Sequence, residues 1–401
     1  MIEELKRIYD NLLNETKLDF KRDYNLTFTN QAIVLVWERW IWKTYLLLQT
    51  LKQSKEKTFY FSADNPIIKW NSIFELVSKL YFDYKITFLV IDEIHKWEDW
   101  KENLKSIIDS FPNLRLIVSW SSSLDLYKWT SDLQRRIYKI DMFWLSFREY
   151  LKYEKNIEVP KYSFEEIIKD YKEISFDLST KINLDDFKNY LSYWFYPYFK
   201  GKQNIYYSLL LGNIRKVILE DLPTFMNLQT SSLSKLEKMF YFIAKNDPSE
   251  LNYKSLSEKI WISKDLLESI IYYLDKIWVL SIAIRTNKLT DIIRKEFKVF
   301  LWNPNIYYAF WNTINIWTIR ESFILNVLKK ISKTKIINDD IILPNYWDFI
   351  FKYNEKNYLF EVWWQNKTNK QINWINNSFL LKDNILIWKD NEIPIYLFWL
   401  I

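Results

Sequence analysis

Glycine is almost missing from this chain: Gly201 and Gly212 are the only two in 401 residues. An ordinary protein carries about 7% glycine, because turns, helix C-caps and phosphate-binding loops need backbone with positive φ. Cysteine is absent altogether, which excludes disulfides and thiolate metal sites. No run reaches the roughly 18 apolar residues that a membrane-spanning helix needs. The opening MIEELKRIYDNLL reads as an amphipathic helix and lacks the apolar core of a signal peptide. The expectation is therefore a cytoplasmic protein with no membrane partner.

What the chain does contain is globular in balance. Hydrophobic residues make up 49% and charged residues 26%, enough to bury sizeable cores. At roughly 150 residues per domain, the length allows two or three. A net charge of +6 permits a nucleic-acid partner without demanding one.

The glycine deficit is matched by an excess of 21 tryptophans, and they stand where glycines belong. Trp261 falls between two helical patterns, at a C-cap followed by the fresh N-cap Ser263, and Trp278 repeats that arrangement at the end of the next helix. Trp120 ends the apolar run LRLIVS, Trp347 follows a Pro-Asn-Tyr turn, and Trp363 and Trp364 follow FEV. These positions suggest a gene whose UGA codons mean glycine but were rendered as tryptophan, a usage known in some uncultured bacterial lineages. A chain with genuine indoles there would have to hold them in left-handed backbone against steric cost. Trp100, in EDWKENLK, looks like a true packing residue, and Trp70 and Trp97 are undecided.

Read with glycine, residues 37 to 44 become G-E-R-G-I-G-K-T, a phosphate loop between the strand AIVLV and the helix KTYLLLQTLKQ. Such a loop turns backbone N–H groups inward around phosphate oxygens, and the helix N-terminus adds its dipole. The cofactor-binding set is then Trp37, Glu38, Arg39, Trp40, Ile41, Trp42, Lys43 and Thr44. Lys43 would reach the β- and γ-phosphates of ATP, and Thr44 would ligate Mg²⁺. A literal indole at 42 would obstruct the cradle.

Downstream, KITFLVIDE is an unbroken apolar strand of the kind buried in parallel sheets, and it ends in Asp92-Glu93 over the ligand crevice. Asp92 would hold Mg²⁺ through water and Glu93 would polarise the attacking water. An acidic pair at a strand end also serves as a helix N-cap. His95, the sole histidine, reads as a packing or hydrogen-bonding residue at a helix start. The next strand, LRLIVS, ends in a serine cluster from which Ser121 is the candidate γ-phosphate sensor, although such a cluster is equally a turn. Arg135 and Arg136 follow on an expected helix. They form either a solvated face or, in a homo-oligomer, an arginine finger acting in trans.

The ordered series GERGIGKT, VIDEIHK, SGSSS, DLQRR and LSFREYL, again with Trp read as Gly, resembles the AAA-type ATPases of archaea and bacteria that carry an uncharacterised C-terminal domain. The resemblance runs from about residue 30 to the end, with NPNIYYAF, NIGTIRESF and FEVGG as later matches. It implies an α/β fold with a P-loop NTPase parallel sheet over residues 1–150 and a helical lid over 151–230.

Residues 231–300 read as three helices and a hairpin, a winged helix in which Ser255 and Glu258 form a capping box. Its recognition helix opens with Ser263, Lys264 and Asp265 and carries Glu268, and such carboxylates repel DNA phosphates. Residues 301–401 resemble the PD-(D/E)xK nuclease core, a small α/β domain. Asp348 begins one strand and Glu361 ends the next, as two metal-sharing carboxylates would. The usual lysine is missing, because position 363 is Trp, or Gly if recoded, with Gln365 and Lys367 further on. Nuclease activity is not expected. The functional expectation is ATP hydrolysis driving a conformational change, with DNA or an unknown protein as partner. A nucleotide-regulated DNA-binding or scaffold module with little turnover is the alternative.

Overall fold

The computed structural model describes residues 1–401 apart from 27–31, 38–41, 69–71, 121–132, 134, 194, 197–200, 227, 229, 246–252, 285–296, 311–314, 333–340, 345–346 and 364–375. The chain forms two compact units, Met1–Leu145 with Tyr196–Tyr198, and Ser146–Phe195 with Phe199–Ile401.

The first unit is built on five parallel strands: β1 (Ala32–Trp37), β2 (Thr58–Ser62), β3 (Phe88–Asp92), β4 (Arg115–Trp120) and β5 (Ile137–Met142). Their order is β2-β3-β4-β1-β5. The central three read AIVLVW, FLVID and RLIVSW, with no alternation, because both faces of a parallel sheet are covered. Helix α1 (Ile2–Glu15) is amphipathic as expected and buries Leu5 and Tyr9. Helix α2 (Lys43–Lys52) follows β1, α3 (Ile73–Phe82) follows β2, and α4 (Trp100–Ser110) follows β3. Ser72 caps α3 by accepting from the Glu75 N–H.

Arg135 and Arg136 do not lie on a helix. They form a turn that leads straight into β5, which pairs with β1 from Ala32↔Ile137 onward.

The second unit places helices beside a seven-stranded mixed sheet. The helices begin with α5 (Phe147–Lys155), α6 (Phe164–Ser179), α7 (Leu184–Tyr193) and α8 (Tyr206–Lys216). They continue with α9 (Thr230–Lys245), α10 (Tyr253–Ile260), α11 (Lys264–Lys276), α12 (Pro304–Phe310) and α13 (Ile316–Ser332). Strands β6 (Leu280–Ile284) and β7 (Phe297–Leu301) form the expected antiparallel pair. They do not stand apart from the C-terminal strands: β6 joins β8 (Ile341–Ile342) through Ile284↔Ile342. The sheet then runs through β9 (Phe349–Tyr353), β10 (Lys356–Trp363), β11 (Ser378–Lys382) and β12 (Glu392–Pro394) in the order β12-β11-β10-β9-β8-β6-β7.

A boundary at 300 would therefore cut a continuous hydrogen-bonded sheet. Aromatic contacts also reach across position 230. Phe164 of α6 meets the rings of Phe351, Tyr353, Tyr358 and Phe360, and Phe187 of α7 meets Phe323 of α13. Of the helices expected as a lid, α6 is thus joined by aromatic contact to the C-terminal sheet and α7 to α13. Ser255 lies inside α10, which starts at Tyr253 among the described residues, so it is not a helix cap.

Candidate nucleotide site

The carboxyl ends of β1 and β3 converge with the start of α2, and their polar side chains form one bonded group. Lys43, the first residue of α2, is buried and brings its Nζ 2.5 Å from Asp92 Oδ1 and onto Glu93 Oε1. The Thr44 hydroxyl donates to Asp92 Oδ2 at 3.0 Å. Ser119, at the end of β4, donates to Asp92 Oδ1 and accepts the Glu93 N–H at 2.9 Å. Tyr60 of β2 donates to Asp92 Oδ2 at 2.9 Å. Register explains the convergence: β3 lies between β2 and β4, and Ser62 pairs with Asp92. Side chains from two flanking strands and one helix start therefore meet on a single carboxylate.

Burial alone would push the Asp92 carboxyl up. The Lys43 charge and hydrogen bonds from Lys43, Ser119 and Tyr60 more than offset that, and its pKa falls below the usual carboxylate range. Asp92 is ionised at neutral pH and surrounded by donors. Thr44 Oγ1 beside an ionised carboxylate is the all-oxygen donor set that suits Mg²⁺, which keeps several of its waters. Glu93 stands in left-handed backbone, φ 52° and ψ 41°, directly after the strand. Such a conformation persists only where surroundings over-determine it, here through Ser119 holding its N–H. His95 Nδ1 lies 3.5 Å from Glu93 Oε2, and its ring stacks on Trp120 at 5.5 Å.

The structure thus brings together Lys43, Thr44, Asp92 and Glu93 from the residues singled out in the sequence. Trp37 ends β1, and its side chain is outside the described residues, as are Glu38, Arg39, Trp40, Ile41 and Ser121. Arg136 pairs with Asp109 at 2.7 Å and Arg135 is exposed. Sequence reasoning missed Ser119 and Tyr60. Ser119 was legible as the last polar residue of a buried strand, one place before the glycine-like Trp120. Tyr60 carried no signal beyond its place in an apolar strand.

Trp42 takes φ 62° and ψ 34° immediately before α2, the left-handed conformation that the loop reading requires of a glycine. Its indole lies against Tyr45 and Phe20, with ring centroids 5.4 and 6.2 Å away. Trp120 is wholly buried and its ring centroid sits 4.0 Å from that of Trp100. Aromatic pairs normally stand about 4.5–7 Å apart, so this wall is crowded.

Several known proteins are similar to this chain. Residues 29–151 match the model of the AAA domain family AAA_14. An uncharacterized protein of Methanocaldococcus jannaschii is 26% identical over 306 residues, which cover 71% of this chain. The match spans 63% of that protein's own length, less than two thirds of it. With the all-parallel sheet, these two matches support an AAA-type P-loop NTPase fold for the first unit. Two solved structures are also similar. A katanin structure described for its self-assembly is 21% identical over 35% of this chain and 51% of its own, with TM-score 0.25. The Hsp104–ADP complex of S. cerevisiae is 16% identical over 65% of this chain and 38% of its own, with TM-score 0.29.

Proposed function

We propose that this chain is an AAA-type ATPase that binds ATP with Mg²⁺ at the Lys43–Asp92 group and hydrolyses it to drive a conformational change. The observation that carries the reading is the convergence of Lys43, Thr44, Asp92 and Glu93 at the strand ends. Lys43 is the cation for the β- and γ-phosphates, and the anions it faces, Asp92 and Glu93, hold its side chain extended toward the crevice. Thr44 and Asp92 are the residues that would hold Mg²⁺, which when bound neutralises charge on the β- and γ-phosphates. Glu93 accepts the proton of the attacking water, and Ser119 fixes the backbone that aims it. Ser121, outside the described residues, is the proposed γ-phosphate sensor. Arg135, exposed in its turn, acts in trans within a homo-oligomer, whereas Arg136 is engaged with Asp109.

This activity belongs to a chain with glycine in the phosphate loop. We read most of the tryptophans as glycine codons, supported by the left-handed backbone at Trp42, Trp261 and Trp278. The three helices and hairpin of residues 230–301 supply a winged-helix-like surface for DNA or a protein partner. The segment around Asp348 and Glu361 supplies a nuclease-like element without the expected lysine.

The test of the active site is Glu93→Gln in the chain with glycine at positions 37, 40, 42 and 120. ATP binding should stay within a few-fold of the parent while turnover falls by about 10²-fold or more, because the carboxylate acts on water and not on bound nucleotide. Unchanged kcat would move the base elsewhere, to Asp92 or His95.

A further inference from the structure

Asp92 Oδ2 takes one donor from the phosphate-loop helix and one from a strand that no nucleotide-binding motif covers. That second donor is Tyr60, whose hydroxyl stands 2.9 Å from the carboxylate oxygen that also accepts from Thr44. The placement comes from the sheet. Tyr60 pairs with Val90 and Ser62 with Asp92, so Tyr60 lies two residues before the level of Asp92, on the same face. Two residues of strand are about 6.6 Å, the reach of a tyrosine and of no shorter hydroxyl side chain. Its neighbours Phe59 and Phe61 point to the other face.

The ring is held as well as the hydroxyl. Tyr60 is buried, and Tyr9 of α1 stacks on it with centroids 6.5 Å apart and planes 29° from parallel. The Tyr9 hydroxyl bonds in turn to Thr58 Oγ1 at 2.7 Å. An ionised carboxylate can only accept, so the Tyr60 hydroxyl is the donor in this contact.

We propose that Tyr60 is a positioning residue for the metal half of the site: it fixes the rotation of the Asp92 carboxylate so that Oδ2 faces the same space as Thr44 Oγ1. Outer-shell hydrogen bonds of this kind orient a ligating carboxylate and set how tightly the cation is held. The proposal rests on reading the Lys43–Asp92 group as a nucleotide–Mg²⁺ site.

The experiment measures binding and not turnover. The full chain with glycine at 37, 40, 42 and 120 is titrated with a fluorescent ATP analogue, first in EDTA and then across a Mg²⁺ series, with and without Tyr60→Phe. Tyr60→Phe should leave affinity in EDTA within twofold and raise the Mg²⁺ midpoint about 10-fold, the usual cost of losing an outer-shell partner. Asp92→Asn should abolish the Mg²⁺ effect altogether. A purely structural role for Tyr60 would lower the melting temperature and weaken binding equally with and without Mg²⁺, and that result overturns the proposal. An unchanged Mg²⁺ midpoint overturns it too. If the parent itself binds no nucleotide, the ATP reading fails, and the role of Tyr60 falls with it.

Discussion

Left-handed backbone appears at several kinds of residue among those described, Lys85, Asp99, Glu355 and Asp390 included. Asparagines such as Asn156, Asn354 and Asn377 tolerate it through their short polar side chains. Glu93 is held there at the proposed active site. Trp42, Trp261 and Trp278 have neither reason, and at the last two the hydrogen bonding names the missing residue. Val279 N–H bonds to Leu274 O at 2.9 Å and Trp278 N–H to Asp275 O at 3.3 Å, and Ile262 N–H bonds to Ser257 O at 3.2 Å. Those bonds are the Schellman pattern, with its glycine position occupied by an indole. A side chain with Cβ costs roughly 1–2 kcal/mol there. Trp261→Gly should therefore raise the unfolding free energy by about 1 kcal/mol, read as a higher urea midpoint, because Trp261 is 80% exposed and little packing is lost. Trp278→Gly should gain less, since its ring stacks on Trp302. A fall in stability at 261 would contradict the glycine assignment, as would UGG at codons 42, 261 and 278. Asp92 sets a second prediction at this scale. Its folded pKa lies below the ordinary 3.8, so its stabilisation is complete above that pH and is lost as pH falls through the folded value. Asp92→Asn should flatten the acid limb of an unfolding curve below about pH 4, and an unaltered limb would mean that the Lys43 pairing contributes nothing.

Elements were legible where periodicity and local chemistry agree. The buried strands of the first unit announced themselves as apolar runs, and the loop before α2 by its spacing. The β9–β10 connection is readable too: Asn354 and Glu355 both take positive φ between the paired Tyr353 and Lys356, a two-residue hairpin turn. Sheet membership was not legible. Nothing in VLSIAIR says that β6 will bond to Ile342, some sixty residues on, because pairing partners are set by tertiary packing and not by the strand's own pattern. The carboxylates of the nuclease-like segment show the same limit. Asp348 and Glu361 were visible in the sequence, but Glu321 on α13 was not. Burial and the neighbouring Asp348 charge push the Glu321 carboxyl up to about 7, against the opposing Lys298 charge 3.4 Å away. A carboxyl with a raised folded pKa contributes stability that is complete below the ordinary 4.5 and is lost as pH rises through about 7. Glu321→Gln should remove that decline, and a curve of unchanged slope would show that Glu321 stays solvated. Trp363 Nε1 donates to Glu361 Oε1 at 2.6 Å, so the position where a catalytic lysine is expected holds an indole bonded to the carboxylate. Purified protein should show little Mg²⁺-dependent cleavage of DNA. Robust nicking abolished by Asp348→Ala or Glu361→Ala would show that Lys367 or another cation serves.

At the scale of the whole molecule, the chain divides after Leu145, a few residues past the last strand of the parallel sheet. The family match stops close to the same place, at residue 151. No helix among the described residues is long and apolar enough to cross a membrane. The aromatic contacts that join α6 to the C-terminal sheet and α7 to α13 have no sequence signature, since aromatic residues are spread throughout the chain. Above all, we read the first unit as a nucleotide site whose loop is built for glycine. The most direct measurement compares ATP–Mg²⁺ binding by two full chains, one with tryptophan and one with glycine at 37, 40, 42 and 120. The glycine chain should bind, and Lys43→Ala should weaken it, because backbone N–H groups can then turn toward the phosphates beside the lysine. The tryptophan chain should not bind. Equal affinity in the two chains, or binding that ignores Lys43, would contradict the glycine-loop reading.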